Sequence, residues 1–238
     1  MFKIFPFIVF AMTMACKNNS DQADQPKDRL LEMDQTKNDL LMLSNSDSNT
    51  FQWLNEPEEF EMIENILRIE AVKGTDFFNN PEDGSITATA PFLYQEVTGD
   101  FVATALVKPD FASVWNAGVI MVHIDSTHWI KFAFEYSDAT GKSIVSVVTN
   151  EVSDDANGVI LSAYDKIWLR IIRKRDIYAL HWSKDGKEYK MARLSSLPPA
   201  QTVKVGIEAQ CPVGKAAIHE FLYFSVENKT IKDLRKGA

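Results

Sequence analysis

The stretch AGVIMVHIDSTHWIKFAFEYSDATGKSIVSVVTNEVS, residues 117–153, decides the fold. Val119, Met121 and His123 alternate with Ile120, Val122 and Ile124. A break at Asp125-Ser126-Thr127 follows, and His128 to Tyr136 alternates again. A polar turn at Ser137 to Lys142 leads into Ile144 to Asn150. Alternating apolar runs joined by short polar turns predict an antiparallel meander of three strands.

The pattern continues outward on both sides. Strands are predicted over 66–72, 100–107, 158–162, 166–173, 176–183, 188–194, 202–210 and 216–226, with short extended pieces at 86–90 and 92–95. Asp185-Gly186 marks a hairpin turn. Residues 75–85, with Asn79-Asn80-Pro81 and Asp83-Gly84, read as a loop. Many short strands with closely spaced turns predict an all-β, two-sheet antiparallel sandwich of the jelly-roll kind. Hydrophobic residues make up 45% of 238, enough for one core of that size.

The block also resembles a known family. Gly118 to Ile124, then Trp129-Ile130-Lys131 leading to Glu135-Tyr136, then Ser146-Val147-Val148-Thr149 and Ser153-Asp154, are similar to motifs of the concanavalin A-like domain called regulation of enolase protein 1. That is a bacterial and fungal domain of unknown function. Trp53-Leu54-Asn55-Glu56-Pro57 matches an opening segment of the same family, with one inserted residue. Val152 and Asp155 stand where the family usually has Tyr and Trp. The resemblance covers roughly residues 51 to 227. It implies a concanavalin A-like sandwich and implies no reaction.

The N-terminus reads as a targeting segment. Lys3 precedes an apolar run, Ile4 to Met14, too short to cross a bilayer. Ala15 before Cys16, followed by the polar Lys17 to Asp21, resembles a bacterial lipoprotein signal, with Cys16 the lipidated first mature residue. The expected organisation is an export signal over 1–15, a lipidated Cys16 and polar tether over 16–50, a sandwich over 51–228 and a tail over 229–238. The expected location is the cell envelope, with membrane contact through the lipid alone. Leu30 to Leu43 hold enough leucines for a short helix near 28–43, read as transient within the tether. If Cys16 is lipidated, Cys211 has no disulfide partner and reads as a small buried residue. A net charge of −8 argues against nucleic acid, whose binding needs an excess of Lys and Arg.

Period-two alternation sorts candidate residues by face. His128, Ile130, Phe132, Phe134 and Tyr136 are assigned to the core, and Trp129, Lys131, Ala133 and Glu135 to the opposite face. Lys204, Gly206, Glu208 and Gln210 fall together on a neighbouring strand, and Arg170 falls with Trp168. If these faces share one concave sheet, a groove holds Trp129, Lys131, Glu135, Asn150, Arg170, Glu208 and Gln210. A ring beside charged groups and amides suits a sugar: the ring covers the apolar C–H face and the polar groups bond the hydroxyls. The leading expectation is therefore a carbohydrate- or glycoconjugate-binding domain. The alternatives are a glycan-active enzyme using Glu135 and Glu208, and a protein-interaction domain without a small ligand. No cofactor is expected. His123, Asp125 and His128 have a spacing that suits a metal, but strand-end histidines usually serve as surface or hydrogen-bonded residues, and no metal site is assigned. The oxygen-rich Asp154-Asp155-Ala156-Asn157 reads as a solvated loop. The enolase label is not transferred, because an exported domain does not meet a cytoplasmic enzyme.

Overall fold

The computed structural model describes residues 39–43 and 51–238. Cys16, the export signal and most of the expected tether lie outside them.

Sixteen strands and one short helix are described, and the strands build two seven-stranded antiparallel sheets. The first sheet runs β1 (Gln52–Leu54), β6 (Phe92–Thr98), β15 (Thr202–Gln210), β8 (Ala117–Asp125), β9 (His128–Ser137), β10 (Gly141–Asn150), β11 (Val152–Ile160). The second runs β14 (Lys190–Ser196), β13 (Ile177–Ser183), β12 (Ile167–Lys174), β7 (Phe101–Lys108), β16 (Ala216–Glu227), β3 (Ile66–Val72), β2 (Phe60–Ile63). A two-stranded arm, β4 (Phe77–Asn79) and β5 (Ile86–Ala88), stands apart from both. The expected all-β sandwich is what the chain forms.

Alternation sets the layers. On β9, Ile130, Phe132 and Phe134 are fully buried in the main core between the sheets. Ile120, Val122, Val205 and Ile207 join them from the first sheet, and Ala103, Ala105, Leu169 and Ile171 from the second. The opposite face of the first sheet carries a smaller core of its own. Trp129, Met121, Val119, Ala133, Phe92 and Tyr94 pack there beneath Phe77 of β4. The arm therefore covers part of that face, at the position where a loop was expected.

Three expectations change. Residues 152–160 form strand β11 rather than a solvated loop followed by a strand at 158. This strand lies at a sheet edge, where Asp, Asn and Gly are tolerated because only one side of the ladder is paired. The sandwich also reaches back before residue 51. Helix α1 (Leu40–Leu43) places Leu41, 3% exposed, in the main core. Beyond Phe221 the pairing of β3 with β16 ends, and the Asp39 carboxylate accepts the Phe224 N–H at 3.2 Å. The C-terminal segment packs as well. Ile231 is buried against Val102, Ile172 and Ala179, and His181 Nε2 lies 2.9 Å from the Leu234 carbonyl.

Candidate functional site

The outer face of the first sheet carries a polar group where the arm stops covering it. Register explains the grouping. Glu135 lies opposite Ala117, which lies opposite Gln210. Lys131 lies opposite Met121, and Glu208 opposite Val119. Period two points all of these side chains to the same side. A cleft of about 520 Å³ opens on this side, with Lys131, Glu135 and Gln210 in its wall.

Lys131 is the hub. It is 3% exposed. Its Nζ donates to Asp76 Oδ1 at 2.6 Å and to Gln210 Oε1 at 2.8 Å. Gln210 Nε2 donates in turn to the Trp115 carbonyl at 2.8 Å. Behind Gln210, His219 is fully buried and bridges two segments: its Nδ1 accepts the Asp110 N–H at 3.2 Å, and its Nε2 donates to the Gln210 carbonyl at 3.0 Å. That pattern needs a neutral ring, and burial depresses the His219 pKa to about 4.

The carboxyls outnumber the cation. Burial pushes Glu135 up to about 8 and Glu208 up to about 8, against the pull of Lys131. Burial also raises Asp155. For Lys131 itself burial works against the charge, but Asp76, Glu208 and Glu135 together outweigh it and its pKa is raised. One lysine compensates one carboxylate, and Asp76 makes the direct contact. Glu135 and Glu208 are then protonated near neutrality. Glu208 is completely buried and neither of its oxygens has a hydrogen-bond partner among the described residues. Glu135 is 8% exposed, lines the cleft and has no side-chain hydrogen bond among the described residues.

The cleft brings Lys131, Glu135 and Gln210 together as expected, with Glu208 beneath. Trp129 is on the expected face but is 1% exposed, sealed by the Phe77 ring at 6.1 Å, so its indole is not an open platform. Asn150 and Arg170 do not belong to the group. Asn150 has the parity of the core-facing residues and sits exposed at the end of β10, opposite His128. Arg170 is on the outer side of the second sheet, stacked on Tyr189 at 3.5 Å and donating to Thr104. The residues expected on one sheet belong to two. His123 and His128 diverge: His123 packs beside Phe77 and Phe92, and His128 Nδ1 bonds Asp125 at 2.9 Å.

Sequence reasoning missed the residues that loops deliver. Trp115 lines the cleft and is 39% exposed. It has a left-handed backbone, φ 64°, held by its N–H donating to the Tyr136 carbonyl at 2.7 Å. Asp76 and Phe78 come from the arm, and Asp155 from β11. Asp155 has a signal in the oxygen-rich run 154–157; alternation on an edge strand sends Asp155 to the cleft and Asp154 to Arg193.

A family model described as a protein of unknown function, DUF1349, matches residues 53–229. The chain belongs to this family. The Saccharomyces cerevisiae protein named regulation of enolase protein 1 is 29% identical over 168 residues, which is 71% of this chain and 84% of that one. A crystal structure of a functionally unknown protein from Saccharomyces cerevisiae superposes with a TM-score of 0.72 at 27% identity, covering 76% of this chain and 98% of that one. A xylan β-1,4-xylosidase from Bacillus halodurans shares the fold alone, with a TM-score of 0.60 at 13% identity over 74% of this chain and 37% of that one.

Proposed function

We infer that this family member is an exported, lipid-anchored domain that binds a carbohydrate or glycoconjugate in the cleft beside the arm. The observation that carries the reading is the pairing of Trp115, an exposed ring at the cleft, with Gln210, Lys131 and Glu135 on its polar side. A sugar offers an apolar C–H face to a ring and hydroxyls to amides and charged groups, and this cleft presents both. The backbone at Trp115 supports the reading, because a non-glycine residue in the left-handed region is costly and such residues gather at ligand sites. The xylosidase that shares the fold gives a carbohydrate context without assigning a sugar. Export and anchoring rest on the sequence of residues 1–21, with Cys16 as the lipidated residue.

A glycosidase reading has one observation in its favour: Glu135, with its pKa pushed up to about 8, is an acid ready to donate a proton in an open cleft. It lacks the expected second group. Glu208 is completely buried and does not line the cleft, and its strand is two removed from that of Glu135, roughly 10 Å between backbones. The binding reading therefore leads.

The test uses Trp115→Ala on a glycan array with a thermal melt of the same protein. Loss of binding with stability changed by less than about 0.5 kcal/mol is expected, as for an exposed site. Undiminished binding by the variant would remove the cleft from the proposal. Incubating each bound glycan with the wild type should leave it intact; release of a reducing end would move the assignment to the enzyme.

A further inference from the structure

We propose that the ligand of this cleft is an amino sugar, with its ammonium group seated on Glu135. The inference rests on the carbohydrate reading above and narrows it to one chemical class.

The cleft is lined by far more carboxyls than cations. Asp76, Glu82, Glu135, Asp138 and Asp155 line it, against Lys131 as the one basic residue among them. Lys131 is already committed. Its Nζ sits 2.6 Å from Asp76 and 2.8 Å from Gln210, so its charge is spent on the arm and on the amide. Among the described residues, the remaining cleft carboxyls form no ion pair and feel Lys131 only at a distance. A neutral sugar gains little from such an excess, whereas a ligand cation is drawn by all of it in a site partly screened from water.

Glu135 marks the seat. It is more than nine-tenths buried, it faces the cleft, and its side chain makes no hydrogen bond among the described residues. Buried carboxyls are normally satisfied, so an unsatisfied one facing an open space points to a donor supplied from outside. An ammonium brings three donors and a charge. The groups that face Glu135 are Lys131 on its own strand, Asp155 on β11, Asp138 in the β9–β10 turn and Asp76 on the approach to the arm. Three of these four are acidic and favour an incoming cation. Beneath, Glu208 adds a further carboxyl whose oxygens are also unpartnered. Trp115 stands at the opening, where the ring that carries the amine can stack.

The seat has a protonic consequence. Free Glu135 keeps its proton at pH 7, since burial raises it to about 8. A neighbouring ammonium favours the carboxylate, so the proton leaves to solvent as the ligand enters. Binding at pH 7 then releases a proton, and a neutral sugar releases none.

The experiment is calorimetric titration of the full chain at pH 7 with a short β-1,4-linked glucosamine oligomer and with its fully N-acetylated counterpart. Each is run in two buffers of different ionisation enthalpy. The glucosamine oligomer is expected to bind at least about tenfold tighter, the scale of one charge-assisted contact, and to release the Glu135 proton less the fraction of a proton that its own amine takes up at pH 7. Glu135→Gln keeps the shape of the protonated acid; it should abolish both the preference and the release, while melting like the wild type near pH 5 and no lower than it at pH 7. Asp155→Asn, at the cleft edge, should weaken the preference in part. Equal affinity for the two oligomers overturns the amino-sugar assignment and leaves the carbohydrate reading standing. Failure of both to bind overturns the two together. Ethanolamine binding as tightly as the oligomer overturns the sugar and retains only an amine site.

Discussion

Lys131 is one buried cation among several carboxyls, and the consequence falls on Glu208. That side chain is closed off from solvent, with no hydrogen-bond partner among the described residues and no cation to itself. Its folded pKa, about 8, lies above the unfolded value of about 4.5. Between those values the folded chain holds a proton that the unfolded chain has lost, so stability falls as pH rises through the window, by at most about 1.4 kcal/mol per unit. Glu208→Gln removes the group that titrates and keeps its shape. The melting temperature of the variant should match the wild type near pH 5 and exceed it increasingly toward pH 8. A difference independent of pH would mean that Glu208 does not titrate there. Trp129 makes the opposite kind of prediction. It is packed under Phe77 rather than open to ligand, so Trp129→Ala should cost roughly 3–5 kcal/mol in denaturant melts, the range for a buried aromatic cut back to alanine. A loss under about 1 kcal/mol would show that the arm does not close over it.

At the scale of elements, the β4–β5 arm decides which part of the first sheet is core and which is cleft. Three sets of contacts hold it. Phe77 inserts among Phe92, His123 and Trp129, and Asp76 pairs with Lys131. At the tip side, the Asn79 N–H donates to Ser153 Oγ at 2.9 Å, and its Nδ2 donates to the Ser126 and Glu151 carbonyls. Asp76→Ala leaves a buried ammonium without its carboxylate. Such losses run about 3–5 kcal/mol, and here the cost should approach the low end because Asp76 is partly exposed and the remaining carboxyls can ionise in its place. Amide exchange in residues 77–88 should accelerate in the same variant. Unchanged exchange would show that Phe77 and the Asn79 hydrogen bonds hold the arm without Asp76.

For the whole molecule, opposing titrations shape the pH profile. His123 and His219 are neutral in the fold, each lowered by burial to about 4. Below about 6.5 the unfolded chain binds protons that these rings refuse, so their share of stability rises with pH from about 4 to 6.5. Glu135 and Glu208 act oppositely from about 4.5 to 8. The two effects offset each other between about 4.5 and 6.5, and only the carboxyls act above. Denaturant melts should show a plateau there and a decline toward pH 8; a maximum at pH 8 would contradict the carboxyl assignment. The N-terminal boundary is testable too. A chain starting at residue 36 should retain full stability, whereas one starting at 48 loses Leu41 and the Asp39 contact, at a cost of about 2–5 kcal/mol. Cys16→Ser should shift the protein from the membrane to the soluble fraction if the lipid is its anchor.

The alternation within residues 117–150 was enough to name the sandwich, and to separate Ile130, Phe132 and Phe134 from Lys131 and Glu135, because pleating is a local property with period two. Lys131, Glu135, Glu208 and Gln210 were legible for the same reason. What period two does not carry is which sheet a strand joins. Arg170 has the right parity on the wrong sheet, and only strand order reveals it. Nor does it carry what covers a face. Trp129 was placed on its side by the sequence, and it was buried by an arm whose residues lie some fifty positions earlier in the chain. Trp115, Asp76 and Asp155 reached the cleft through a left-handed turn, a crossing arm and an edge strand, each set by long-range packing. The sequence by itself determined the class of fold and half of the polar cluster; the tertiary structure decided which faces stay open, because burial depends on what the rest of the chain lays over them.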